Sequence, residues 1–112
     1  MNMGILYSGK LDFIKSEEFF TKCLEIQERI LPPFHPNLAK LYMNMGALYK
    51  KKTYYMKSQQ FYTKCLEIQE QILPPLHPNL TALYMIMGDL YYKKKDYTKS
   101  DEFYSKCHKI KE

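Results

Sequence analysis

No stretch of this 112-residue chain comes near 18 unbroken apolar residues, so nothing in it reads as a membrane-spanning helix. The opening MNMGILYSGKLD has neither a basic start nor an apolar run fit for a secretory signal. Unless the chain is cut from a longer precursor, this places it inside the cell, in the cytoplasm. Cysteine is scarce and odd in number, three in all, which in a reducing compartment argues against a disulfide framework. No segment alternates apolar and polar residues at the period of two that a half-buried strand requires. Also missing are a nucleophile–base pair, paired carboxylates, a phosphate-cradling loop and metal-ligand spacing. The chain therefore reads as no enzyme, with no cofactor and no metal.

What is present is enough apolar and aromatic content, 46% and 15%, to exclude a disordered chain. The net charge of +5 suits an acidic peptide, a membrane surface or nucleic acid equally and does not choose among them. The dominant signal is a period of 42 residues. MNMG-x-LY at 1–7 returns at 43–49 and, degraded, at 85–91; Cys23, Cys65 and Cys107 keep the same interval, as do His35-Pro36-Asn37-Leu38 and His77-Pro78-Asn79-Leu80. Residues 1–42 and 43–84 agree at 28 of 42 positions. A period of this length signals stacked supersecondary units.

One unit shows the plan. Pro36 suits the first helical turn, where its missing N–H costs nothing. Leu38, Leu41/Tyr42, Met45 and Leu48/Tyr49 then recur at three- and four-residue steps, predicting an amphipathic helix over about 37–51 that ends in the Lys50–Lys52 run. After a turn at Thr53-Tyr54, a second helix over 55–73 carries Tyr55, Ser58, Phe61/Tyr62, Cys65/Leu66, Ile68/Gln69 and Ile72/Leu73 on its expected buried side, until Pro74-Pro75 stops it. The same reading gives a short helix at 1–8 and further helices at 13–31, 79–93 and 97–111. Gly4, Gly46 and Gly88 each cost a helix interior about 1 kcal/mol. Their recurrence predicts close approach of a neighbouring helix. Ser16, Ser58 and Ser100 hold a second small position, and the cysteines a third.

Tyr42-x-x-Met45-Gly46-x-x-Tyr49, followed by Ser58, Tyr62 and Cys65, resembles the tetratricopeptide repeat signature, and 84–107 repeats it. Gly4, Tyr7, Ser16, Phe20 and Cys23 supply a truncated copy. The 42-residue period, Leu66-Glu67-Ile68-Gln69-Glu70 and His77-Pro78 are similar to the repeats of kinesin light chains. The resemblance implies an all-α fold of helix–turn–helix units stacked as a right-handed α-solenoid, about two and a half to three repeats. It implies a single repeat domain over 1–112, with units near 1–34 (truncated at its start), 35–76 and 77–112. It further implies a scaffold whose first helices line a concave, peptide-holding groove. Met43 and Met85 stand where that family carries its groove asparagine; Asn44 survives beside one and Ile86 replaces it beside the other. Leu11, Thr53 and Lys95 stand where a turn glycine is expected.

Repetition also filters the candidates. The cysteines recur at a buried small-residue register, and stacked equivalent helices lie about 10 Å apart, too far for a shared metal or disulfide. His35 and His77 belong to interhelical turns without ligand neighbours. Glu25, Glu28, Glu67 and Glu70 read as a solvated face. His108, Lys109 and Lys111 replace Leu66, Glu67 and Gln69, as a terminal repeat with less packed on it would need. The groove face is expected to carry Lys40, Met43, Ala47, Lys50 and Lys51 from one unit and Ala82, Met85, Asp89, Tyr92 and Lys93 from the next. A methionine floor with a cationic rim fits a protein or peptide partner with apolar anchors and acidic flanks. The alternative is a self-associating repeat fragment of a longer array. Nucleic-acid binding ranks third, because the positions facing the groove are not a base-reading set.

Overall fold

The computed structural model describes residues 2–111, with side chains described from Asp12 to Ile110. Five helices follow one another: α1 (Asn2–Ile30), α2 (Pro36–Lys51), α3 (Tyr55–Ile72), α4 (Pro78–Lys93) and α5 (Tyr97–Lys111). No strand occurs among the described residues. Packing is closest within the hairpins α2–α3 and α4–α5, and looser between α1 and α2 and between α3 and α4. This is a helical-repeat solenoid.

Local chemistry sets the helix ends. The His35 and His77 backbones are extended, and each ring Nδ1 accepts the N–H of Asn37 or Asn79 at 3.0 Å. A proline follows at the first helical position. His-Pro-Asn is thus a capping unit in which imidazole does the work usually given to Ser or Asp. At the other end, Tyr54 N–H bonds Tyr49 O at 2.9 Å and Thr53 N–H bonds Lys50 O at 3.0 Å; Asp96 and Lys95 repeat the pair onto Tyr91 and Tyr92. This is a Schellman closure, and it needs a left-handed residue. Thr53 (φ 61°) and Lys95 (φ 65°) supply it without glycine. Leu73 ends α3 in an extended conformation, one residue earlier than its hydrophobicity suggests, because Pro74 follows it.

The separate helices expected at 1–8 and 13–31 are instead one helix, Asn2–Ile30. The position that turns at Thr53 and Lys95 is Leu11 in this unit, a strong helix former. The expectations for the side chains of Gly4, Tyr7 and Lys111 lie outside the described residues.

The small residues act as expected. A Cβ built on Gly46 would stand 2.9 Å from the Tyr62 ring, and one on Gly88 would stand 2.6 Å from Tyr104. The same close approach lets Ser58 Oγ donate to Gly46 O at 2.8 Å and Ser100 Oγ to Gly88 O at 2.9 Å, both hydroxyls buried. Tyr49 stacks on Phe61 and Tyr91 on Phe103 at 5.7 and 5.6 Å, nearly parallel. Cys65 and Cys107 are buried, Cys23 is half-buried, and all three are free thiols.

Between hairpins, a polar tie repeats at the 42-residue interval. Tyr42 Oη donates to Glu28 and Tyr84 Oη to Glu70, each at 2.8 Å. Tyr49 donates to Glu17 at 2.8 Å, and Gln59 donates to Tyr91 Oη at 2.9 Å. Glu28 and Glu70 are therefore not merely a solvated face: their outer oxygens fasten one unit to the next. On α5, His108 and Lys109 are exposed where Leu66 of α3 is buried, so the last helix presents a polar outer surface.

Candidate peptide-binding groove

The buried stripe of α2 (Leu38, Ala39, Leu41, Tyr42, Met45, Gly46, Tyr49) and that of α4 (Leu80, Leu83, Tyr84, Met87, Gly88, Tyr91) follow the helical period. They turn the residues between them outward. Lys40, Ala47, Lys51, Ala82, Met85, Tyr92 and Lys93 are exposed, and Met43, Lys50 and Asp89 are half-buried. Met85 is 37% exposed, a large apolar side chain held at the surface.

The structure brings only some of these together. Lys40 and Met43 line a cleft of about 260 Å³ whose other walls are Pro36 and Ala39 of α2, Gln69 and Ile72 of α3, Leu73, and Asn79 of α4. Asn79 starts a strip that continues through Ala82 to Met85 up α4, the counterpart of Asn37, Lys40 and Met43 on α2. Lys51 lies apart, lining a separate depression with Asp12, Phe13 and Leu48. Lys93 Nζ sits 5.6 Å over the Tyr55 ring, and Tyr92 packs edge-on to Tyr97 at 5.2 Å. Asp89 accepts the Tyr104 hydroxyl, and that bond, with burial second, holds the phenol above its usual range.

Gln69, on a second helix, is a wall residue that periodicity on the first helices does not find, whereas Asn79 shares the register of Ala82 and Met85 on α4. The one signal for Gln69 is that it recurs, as Gln27. Gln69 Oε1 and Gln27 Oε1 are buried without a hydrogen-bond partner among the described residues. An unmet acceptor of this kind costs about 1–3 kcal/mol, and Gln69 faces the cleft. At the cleft itself the cationic character comes from Lys40.

No group of three His, Cys, Asp or Glu comes together among the described residues. Burial pushes the Cys65 thiol up to about 11, which leaves it protonated and inert. No helix among the described residues is long and apolar enough to cross a membrane.

Antiparallel helix hairpins packed one after another define a helical-repeat protein. The sequence profile of the tetratricopeptide repeat matches residues 39–72 and 81–112, more than half the chain, and the chain belongs to that family. Repeats of this family generally mediate protein–protein interaction. No curated protein sequence matches the chain. Solved structures do. BtubC (BKLC) from P. vanneervenii superimposes with a TM-score of 0.82 at 19% identity, over 98% of this chain and 44% of that one. A protein described as a kinesin light chain with nearly identical TPR-like repeats, from Podosopora anserina, gives 0.78 at 16% identity, over 97% of this chain and 52% of its own. At these identities the likeness is one of fold, kinesin light chain-like in architecture. The chain spans about half the length of the solved structures it matches.

Proposed function

We propose that this chain is a non-catalytic interaction scaffold that holds an extended or helical peptide in the groove between α2 and α4. The observation that carries the reading is the cleft itself. It combines an apolar floor from Met43, Ile72 and Leu73, an unmet buried acceptor in Gln69, and Lys40 at the rim. A peptide supplies what each lacks: apolar side chains for the floor, a backbone N–H for the glutamine, and acidic flanks for the lysine. Methionine at Met43 and Met85 adapts to more than one anchor shape. Three free thiols fit a reducing compartment, so we place the action in the cytoplasm.

A nucleic-acid reading is weaker. Two of the tyrosines beside the lysine runs are spent inside the fold, while Tyr54 and Tyr92 stay exposed and Tyr92 packs edge-on to Tyr97. Tyr49 and Tyr91 are buried, with Lys57, Lys94 and Lys99 packed over their rings at 5.2–5.4 Å.

A displayed random-peptide library panned on the whole chain tests the groove. Apolar-anchored, acid-flanked sequences are expected. Their affinity in fluorescence anisotropy is expected to fall at least about tenfold (1.4 kcal/mol) in the double variant Met43→Glu, Met85→Glu, with unchanged circular dichroism. Selected peptides that bind the double variant as tightly as the parent would remove the groove assignment.

A further inference from the structure

Lys50, Lys51 and Lys93 belong to the tips of the two hairpins, where α2 turns into α3 and α4 into α5. Residues 50–57 hold four lysines and no acid, and residues 92–99 hold four lysines and one aspartate. The tips therefore carry +7 where the whole chain carries +5, and everything outside them sums to −2. All of these lysines but the half-buried Lys50 are exposed. The two tips lie side by side: Lys93 Nζ of one sits 5.6 Å over the Tyr55 ring of the other, and Lys94 donates to Gln59. Rings hold further ammonium groups in place. Lys52 packs over Phe13, Lys57 over Tyr49, and Lys94 and Lys99 over Tyr91, at 5.2–5.4 Å. A cation over a ring keeps its charge but loses the rotamer freedom of a lone lysine. Asp96, the acid of the tips, is turned back on its own helix and accepts the Lys99 N–H at 3.3 Å. Asp12 stands beside Lys51 and Lys52 and offsets one charge. Between the lysines, Tyr54, Met56, Tyr92 and Tyr97 are each more than half exposed.

We propose that the hairpin tips dock this chain end-on to an anionic lipid bilayer, with acidic headgroups under the lysines and Tyr54, Met56 and Tyr92 at the headgroup level. The kind of cation selects the partner. A fixed pattern of carboxylates or phosphates, as on a protein or a nucleic acid, is gripped best by guanidinium forks. The tips have none: the one arginine of the chain is Arg29, in the last turn of α1. Ammonium groups act as point charges, and a leaflet whose anionic lipids diffuse can gather them wherever those charges fall. Tyrosine, with an apolar ring and a polar end, suits the boundary between headgroups and acyl chains. Charge also sets the orientation. Glu67 and Glu70 lie toward the far end of α3, so the acidic part of the hairpin points away from the leaflet. The cleft lies at that far end too, between the starts of α2 and α4 and the end of α3, and docking by the tips leaves it open. The tips and the cleft share no residue, so the docking stands whether or not the groove binds peptide.

Sedimentation of the whole chain with lipid vesicles tests the docking. Vesicles of phosphatidylcholine mixed with phosphatidylserine are expected to carry the chain down, and phosphatidylcholine alone to leave it in solution. Salt at about 1 M, where the screening length falls to about 3 Å, is expected to release it. The double variant Lys51→Glu, Lys95→Glu reverses two exposed tip lysines that are not among those packed over rings. It is expected to bind at least about twentyfold more weakly, since each lysine near such a surface is worth on the order of fivefold. Lys22→Glu, Lys109→Glu has the same net charge but alters exposed positions remote from the tips. It is expected to bind within about twofold of the parent, because charges more than about 8 Å from the surface are screened at physiological salt. Both variants are expected to keep the helical signal of the parent. No sedimentation with the phosphatidylserine vesicles, equal sedimentation with phosphatidylcholine alone, or equal loss in the two variants overturns the proposal. So does binding of polyglutamate or a single-stranded oligonucleotide in place of the vesicles, which would give the tips to a protein or a nucleic acid.

Discussion

Two glycines carry much of the hairpin geometry, and their neighbours give them different costs of replacement. Alanine would recover about 1 kcal/mol of helix propensity at either position. Against that stands steric crowding worth about 1–3 kcal/mol in a packed interior. At Gly46 the added Cβ meets Tyr62 at Cγ and Cδ1, the root of a ring that is only 2% exposed and has nowhere to go. At Gly88 the gap is shorter, but the atoms met are Cε1 and Cδ1 of Tyr104, a half-exposed ring that can swing away at the expense of its bond to Asp89. Gly46→Ala is therefore expected to lower stability by about 1–2 kcal/mol and Gly88→Ala by less, read from urea unfolding followed by circular dichroism. A Gly46→Ala chain as stable as the parent would show that the hairpin opens more easily than this contact allows. The need for a small residue was legible, because glycine recurred at one register where propensity disfavours it. The ring it makes room for was not, since 16 residues and a turn separate Gly46 from Tyr62. Distance along the chain also hid the roles of Glu28 and Glu70: nothing local marks a surface carboxylate as the acceptor for a tyrosine 14 residues away on the next helix.

At the scale of elements, caps and stops set the boundaries of α2 to α5, and those signals are local. His-Pro-Asn starts α2 and α4, Pro-Pro ends α3, and the lysine-run turns start α3 and α5, so these four helices fall within a residue of where pattern places them. The turn inside a hairpin is different. It is held by the packing of both arms, and at Leu11, a strong helix former, α1 runs straight through. The groove was half legible for the same reason. Helical period puts Lys40, Met43 and Asn79 on one register, but Gln69 reaches the cleft only because α3 packs back against α2. The turns also store cost. A non-glycine residue in the left-handed region is worth about 1–2 kcal/mol of strain, and β-branched Thr53 suffers it at φ 61°. Thr53→Gly is expected to raise stability by about 1 kcal/mol and the thermal midpoint by roughly 4 °C. A thermal midpoint that stays level or falls would mean that the threonine side chain contributes more than its backbone strain removes.

The molecule as a whole is laced with protonated phenols, and their chemistry predicts how it comes apart. Burial first, and then the bonds to Glu17 and Glu70, hold Tyr49 and Tyr84 up at about 12; burial above all holds Tyr62 there, and Tyr42, beside Glu28, is also raised. In the unfolded chain these phenols titrate near the ordinary value of about 10. Between those limits the unfolded state has released protons that the folded state still holds, so stability falls as pH rises. The contribution is complete below about pH 10 and is lost as pH climbs toward 12. Tyr42 and Tyr84 bridge successive hairpins, while Tyr62 lies inside one. Loss of stacking and loss of hairpin packing should therefore share one alkaline transition instead of two. Urea midpoints taken across that range are expected to decline together by helical signal and by phenolate absorbance. Tyr84→Phe, which cannot ionise and gives up its tie to Glu70, is expected to start less stable and to decline less steeply. A parent chain whose urea midpoint holds level up to pH 12 would mean that the buried hydroxyls exchange protons with solvent without opening the array. Their position between units would then not couple one repeat to the next.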